Sequence, residues 1–187
     1  MGRSLACDDA PMEGRFVRHS RRVAYENAWI TVWHDEVSRP DGSPGIYGVV
    51  HFGNLAAGVV ALDDDDRIML VGQHRYTLDR ESWEIPEGGV PPTETALEGI
   101  QRELREETGL EIEPQAFVGV WMEPDYDGRT VLCLTWDARV TGGTERAADD
   151  VSELAWFAPD ELPADGELAF RHFPELLGLW RARHEHT

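Results

Sequence analysis

The stretch "GGVPPTETALEGIQRELREETGL", residues 88–110, passes from turn formers into a helical pattern and carries three carboxylates, Glu103, Glu106 and Glu107, into the last turns of that helix. The spacing predicts a helix over 93–108. Thr93 is placed as N-cap, Glu94 and Glu98 suit the early turns, Ala96, Ile100 and Leu104 recur every four residues, and Gly109 falls where a C′ glycine belongs. Gly99, inside the helix, costs about 1 kcal/mol relative to Ala, which points to close approach of another backbone. The acids stand at the wrong end. A helix C-terminus carries partial negative charge, and acids there are disfavoured by about 0.3–1 kcal/mol, with like charges four apart adding a similar penalty. In helical register Glu103 and Glu107 lie one turn apart with Glu106 beside them, so all three share one face. A hard divalent cation is the natural counterweight: magnesium, or manganese in its place, takes oxygen ligands from one or two carboxylates and from substrate phosphates. The competing reading is a solvated acidic face paired with Arg102 and Arg105.

Outward from this helix, residues 1–14 read as a flexible leader. "RRVAYENAWITVWHDEVSRPDGSPGIYGVVHF" (21–52) alternates apolar and polar residues around a Pro/Asp/Gly turn, so residues 15–53 are expected to hold two or three antiparallel strands. Two buried strands, about 55–62 and 67–75, flank an acidic turn at Asp63–Asp66 that reads as a solvated hairpin tip. Strands follow at about 111–122, 130–140 and 151–157, and a helix over about 167–183 can turn Leu168, Phe173, Leu176, Leu177 and Trp180 to the core. Helices and strands alternate without a regular βαβ rhythm. The expectation is an α+β fold, a mixed sheet flanked by helices, with residues 54–187 as the main domain.

The 187 residues suffice for one domain with a real core. Lys plus Arg number 17 and Asp plus Glu 36, a formal charge of 17 − 36 = −19, which argues against nucleic acid and against an anionic membrane surface as partners. No apolar run approaches bilayer length and no signal-peptide core is present, so the expected setting is cytoplasmic. Cys7 and Cys133 are far apart, and Cys133, within "TVLCLTW", reads as core filling.

Residues 88–110 resemble the Nudix box, G-x5-E-x7-R-E-U-x-E-E-x-G-U with U aliphatic: Gly88, Glu94, Arg102, Glu103, Leu104, Glu106, Glu107, Gly109 and Leu110 stand at its specified positions. The resemblance implies a Nudix-type α/β/α sandwich with extra N-terminal antiparallel strands, and hydrolysis of a nucleoside diphosphate linked to another group. It implies Glu103 and Glu107 as principal metal ligands, Glu106 as a further ligand or proton acceptor, the backbone carbonyl of Glu87 as another ligand, and Arg102 and Glu94 as partners that orient the acids. Mg²⁺-assisted attack of water on phosphorus follows, with no covalent enzyme intermediate.

"VGQHRYTLDRESWEIPEGG" (71–89) is similar to the ADP-ribose and nucleoside-diphosphate-sugar pyrophosphatase branch of that family. The branch implies that Arg75 contacts a phosphate, that Glu84 lies near the metals, and that Pro124 stands near the branch's proline after the box, although the fuller Ser-Pro-Gly is absent. An edge-strand Arg75 paired with an acid is the plain alternative. The branch also implies a homodimer that exchanges N-terminal strands, with Trp29, or less readily Trp33, stacking on the base; a Trp packed within a sheet is the plain alternative there. A general base is expected from a mobile loop after the box, here "TGGTERAADDVSE" (141–153), where Glu145, Asp149, Asp150 and Glu153 compete and alignment favours Asp150. The implied substrate is ADP-ribose or a related sugar nucleotide. Nucleoside triphosphates or dinucleoside polyphosphates, mildly favoured by Tyr126, are the alternative substrates, and a non-catalytic ligand-binding module is a further alternative.

Overall fold

The computed structural model describes residues 14–76, 79–124 and 130–184. The chain divides between Gly53 and Asn54 into two compact units. In the first, β1 (Val17–Glu26), β2 (Ile30–Ser38) and β3 (Pro44–Phe52) form a three-stranded antiparallel sheet in that order. The Pro/Asp/Gly turn joins β2 to β3, with Asp41 Oδ1 accepting from Ser43 N at 2.9 Å. Asp35 is buried and accepts Arg21 Nε and Nη2, each at 2.6 Å. The Arg21 guanidinium lies 4.3 Å from the Trp33 ring centroid, and Trp33 stacks on His51 at 5.0 Å, a run of cross-strand contacts that ties all three strands together.

The second unit is built on a mixed seven-stranded sheet. Its strands are β4 (Leu55–Leu62), β5 (Ile68–Arg75), β6 (Arg80–Glu84), β7 (Glu87–Val90), β8 (Leu110–Pro124), β9 (Thr130–Gly143) and β10 (Val151–Phe157). The main path runs β10-β5-β4-β9-β8, with β6 beside β5 and β7 beside β4. Only β4 and β9 pair in parallel among these ladders. Successive side chains of a strand point to opposite faces, and β4 supplies both cores of the unit. Ala57, Val59 and Ala61 pack with Met69, Val90, and Ile100 and Leu104 of helix α1 (Ala96–Thr108). Val60 and Leu62 pack with Ile68, Leu70, Ile85, and Phe173, Leu176, Leu177 and Trp180 of helix α2 (Phe173–His184). One helix on each face makes the expected α/β/α sandwich.

Several expectations need adjustment. The N-cap of α1 is Thr95, not Thr93: its Oγ1 accepts from Glu98 N at 3.3 Å while Glu98 Oε2 accepts from Thr95 N at 2.8 Å, a reciprocal capping box. Glu94 N reaches back to Pro91 O at 3.0 Å, so Thr93 lies within the preceding turn. The C-terminal helix begins at Phe173 instead of 167, because residues 165–167 close a separate 3₁₀ turn and Leu168 bridges to Trp83. The Asp63–Asp66 tip is a solvated hairpin turn as expected, with Asp64 and Asp65 exposed, Asp63 accepting from the backbone of Asp65 and Arg67, and Asp66 paired with Arg139. Cys133 is buried as expected, and burial raises its thiol pKa. Cys7 and Tyr126 lie outside the described residues.

Gly99 makes room for the Val90 side chain of β7, not for the close approach of another backbone that was expected. A Cβ there would collide with Cγ2 of Val90 and come within 2.9 Å of Cγ1, and Val90 is itself buried and β-branched, with little rotamer freedom to yield. Gly99→Ala is therefore expected to destabilise the protein by about 1–2 kcal/mol in urea unfolding, the overpacking outweighing the gain of roughly 1 kcal/mol in helix propensity. Thr95→Ala is expected to cost about 1 kcal/mol in the same measurement and Thr93→Ala close to nothing.

Candidate active site

The C-terminal end of α1 is neutralised from several directions. Gly109, at φ 73°, donates its N–H to Arg105 O at 2.9 Å, and Thr108 Oγ1 donates to Leu104 O at 2.6 Å. The connector between β9 and β10 supplies the rest: Thr144 N, Arg146 N and Ala148 N donate to the carbonyls of Gly109, Thr108 and Glu107 at 3.1, 2.9 and 3.0 Å. The orphan carbonyls of the last turn are thus satisfied by backbone amides of another segment. Arg102 stands amid the side-chain acids. It donates to Glu94 at 3.1 Å, to Glu106 Oε2 at 3.0 Å and to the carbonyl of Gly89 at 2.9 Å, and its Nη1 lies 3.0 Å from Glu103 Oε1. These acids hold its guanidinium well above the usual arginine range.

The three carboxylates on the helix face differ sharply in setting. Glu106 is half-exposed, with its side chain at 53%, whereas Glu107 is 5% exposed and its Oε2 has no hydrogen-bond partner among the described residues. Burial first, then the fields of Glu103, Asp150, Glu87 and Asp149, push the Glu107 carboxyl up to about 9. Burial likewise raises the Glu103 pKa, against the pull of Arg102. Glu103 rests over Gly88 of β7, where a Cβ would strike its carboxyl group. A glycine at this point lets the acid lie directly on the strand that ends the Glu-Gly-Gly turn.

Across from α1, Arg75 closes β5 and Glu84 closes β6. They form an ion pair, and Arg75 Nη2 lies 3.8 Å from Glu87 Oε1. Glu84 is 2% exposed and its Oε1 is unpartnered among the described residues. Burial lowers the Arg75 pKa, while Glu87, Asp150 and Glu107 act in the opposite sense. Asp150 thus feels both Arg75 and Glu107 and is brought to the same region as the helix acids.

Glu87, Glu103, Glu107, Arg75, Glu84 and Asp150 therefore converge, and Glu106 borders them from the exposed side. Trp29 lies in the other unit, in the bend before β2, and is 69% exposed with its N–H bonded to Asn27 Oδ1; it is not packed within a sheet. Trp33 is engaged by Arg21 and His51. Pro124 ends β8 opposite Thr130, and its side chain lies outside the description. The connector expected to be a mobile loop is instead fastened to α1 by alternate backbone hydrogen bonds, and Glu145 accepts from Trp156 Nε1 at 2.8 Å. Asp149, at φ 58°, adds its field to Glu103 and Glu107. Phe170, whose ring lies 4.7 Å from the Arg75 guanidinium, carries no motif or periodic signal, since it falls in the connector before α2.

The donors fit a hard divalent cation. All are oxygen, two buried carboxylate oxygens lack partners among the described residues, and the raised Glu107 pKa marks a shortage of positive charge. Among the described residues no three acidic, His or Cys side chains already stand in a ligating arrangement. Glu103 and Glu106 are turned onto Arg102.

Comparison with known proteins adds the family. Residues 54–177 match the NUDIX domain, and residues 17–50 match the nucleoside diphosphate sugar hydrolase N-terminal domain. An ADP-ribose pyrophosphatase of Mycobacterium tuberculosis is 36% identical over 154 residues, 78% of this chain and 72% of that protein. A MutT-like protein of Streptomyces ambofaciens is 31% identical over 106 residues, 57% of this chain and 64% of that protein. The chain spans between 39% and 64% of the length of the first three curated relatives it matches. In fold, the structure of a NUDIX hydrolase from Nitrosomonas europaea superposes with a TM-score of 0.62 at 24% identity, covering 70% of this chain and 89% of that one. The domain match takes in the whole of residues 88–110, where the acids of α1 lie, and on it the chain belongs to the NUDIX domain family.

Proposed function

We propose that the protein hydrolyses the pyrophosphate bond of ADP-ribose or a related nucleoside diphosphate sugar, releasing a nucleoside monophosphate and a sugar phosphate, with Mg²⁺ as cofactor and Mn²⁺ able to replace it. The observation that carries this reading is the pairing of a buried, electron-rich carboxylate cluster around Glu107 with a guanidinium, Arg75, that borders the same space. The match of residues 17–50 to the N-terminal domain of nucleoside diphosphate sugar hydrolases, and the likeness to a mycobacterial protein named as an ADP-ribose pyrophosphatase, support the sugar-nucleotide class.

In this reading Glu103, Glu106, Glu107 and the carbonyl of Glu87 would hold the metal. A bound divalent ion supplies a more acidic water and screens the phosphate charge. Arg102 holds Glu103 and Glu106 until they are needed and fixes their direction. Arg75 binds a phosphate oxygen through its in-plane N–H donors, and Glu84 orients that guanidinium. Asp150 takes the proton of the attacking water, and the bond from phosphorus to the bridging oxygen breaks as the new one forms. Trp29 stacks on the base and Pro124 borders the substrate. Residues 54–187 act as the hydrolase domain, and residues 15–53 serve a homodimer of this cytoplasmic enzyme. Among the described residues no helix is long and apolar enough to cross a membrane.

Incubation with ADP-ribose, ADP-glucose, UDP-glucose, diadenosine polyphosphates and nucleoside triphosphates, with and without Mg²⁺, is expected to show metal-dependent cleavage with sugar nucleotides cut fastest; cleavage of none of them would exclude the reaction. Glu107→Gln is expected to lower kcat by at least about a hundredfold. The pH dependence of stability follows from the Glu107 shift. Its folded pKa, about 9, exceeds the ordinary 4.5, so the folded protein retains a proton that the unfolded chain gives up. In the presence of EDTA the melting temperature should therefore fall as pH rises from about 4.5 towards 9. Added Mg²⁺ should raise it, most at the alkaline end, and Glu107→Gln should flatten the EDTA profile.

A further inference from the structure

Arg75 is held by more than its acids. Its guanidinium lies 4.7 Å from the centroid of the Phe170 ring. Phe170 stacks on His172 at 5.9 Å with 22° between the planes, and His172 stacks on Trp121 at 5.6 Å and 15°. The three rings thus form a continuous wall that runs from β8 to the end of β5 and terminates at the guanidinium. His172 is buried and also meets Phe173 of the α2 core at 4.6 Å, so the middle of the wall is packed on all sides.

The segment that carries Phe170 is itself fastened to β6. Ala169 N donates to Trp83 O at 2.9 Å, and Arg80 donates to the carbonyls of Gly166 and Leu168 at 3.2 and 3.1 Å. Phe170 therefore has a fixed position relative to the strand pair that presents Arg75 and Glu84.

An aromatic ring engages the face of a guanidinium and leaves the N–H groups, which lie in its plane, to other partners. One edge of Arg75 is taken by Glu84, while the buried Nε has no hydrogen-bond partner among the described residues. The Glu84 pair fixes one edge of Arg75 but leaves the group able to rotate about that edge, and Glu87, Asp150 and Glu107 all attract the remaining donors. The ring restricts that freedom by fixing the plane of the guanidinium, and with it the direction of the donors.

We propose that Phe170, backed by His172 and Trp121, is a positioning residue that sets the plane of the Arg75 guanidinium for recognition of the substrate diphosphate. The proposal rests on the hydrolase reading above and deepens it. It assigns part of diphosphate recognition to the connector before α2, acting through Arg75.

The test uses the full chain and two variants, Phe170→Leu, which keeps apolar volume for folding, and Phe170→Tyr, which keeps the ring. With ADP-ribose and Mg²⁺, Phe170→Leu is expected to lose about tenfold in kcat/KM, mostly through KM, in keeping with the strength of a partly buried cation–π contact. Phe170→Tyr should restore the value. On an Arg75→Ala background, Phe170→Leu should cause no further loss; an equal loss on both backgrounds, or no loss in the single variant, would overturn the proposal. A second arm needs no turnover: the Arg75 Nε–Hε resonance is expected to be ring-current shifted and rigid in the native protein and in Phe170→Tyr, and to lose the ring-current shift and gain mobility in Phe170→Leu. A resonance unmoved by Phe170→Leu would overturn the proposal. Absence of hydrolysis by the native protein would overturn the proposed reaction, while the resonance still decides for or against the positioning role.

Discussion

A carboxylate buried at the negative end of a helix is the constraint around which the second unit is arranged. Glu107 sits where the helix dipole, its own desolvation and four neighbouring acids all oppose its charge. The chain compensates in three ways. Backbone amides of residues 144, 146 and 148 satisfy the last carbonyls, Arg102 takes up Glu103 and Glu106, and Thr108 bonds within the turn. None of these donors reaches Glu107 Oε2. The residual demand for positive charge is local, and the donors that surround it are oxygens, the ligand type of a hard cation.

The sheet makes the arrangement possible by serving two cores at once. β4 sends alternate residues to α1 on one face and to α2 on the other, so both helices are referenced to the same strand. Val90 presses into the groove left by Gly99, which brings α1 close enough to β7 for Glu103 to lie on Gly88. In the antiparallel register of β5 with β6, Arg75 stands opposite Arg80 and Glu84 opposite Val71, so the Arg75 side chain reaches back along the ladder to pair with Glu84. The acids are placed by helix packing and the guanidinium by strand pairing, two rigid elements instead of two loops.

The connector between β9 and β10 departs from what the resemblance implies, a mobile loop that brings in a general base. In the folded protein every second amide finds a carbonyl at the end of α1. An unsatisfied helix terminus and an otherwise unpaired segment have complementary needs, and bringing them together meets both. The same contact brings Asp149 and Asp150 towards Glu103 and Glu107, so the acidity of the cluster is greater than the helix sequence alone suggests.

Much of this was determined by the sequence by itself. The period of Ile100 and Leu104 dictates which face of α1 is buried, the apolar runs in 55–62 and 67–75 mark two buried strands, and Gly88 to Leu110 marks the acids as a set, because each of these depends on the pattern within one element. Thr95 was missed as the cap although Thr95 and Glu98 carry the Thr-x-x-Glu spacing of a capping box, which Thr93, with Ala96 three residues on, lacks. What the tertiary structure alone decided is how the elements meet: which of three neighbouring glutamates is buried, that Arg75 faces Glu84 and Phe170, and that residues 144–148 cap α1. Burial and electrostatic coupling arise between segments far apart in the chain, and no local periodicity encodes the distance between them.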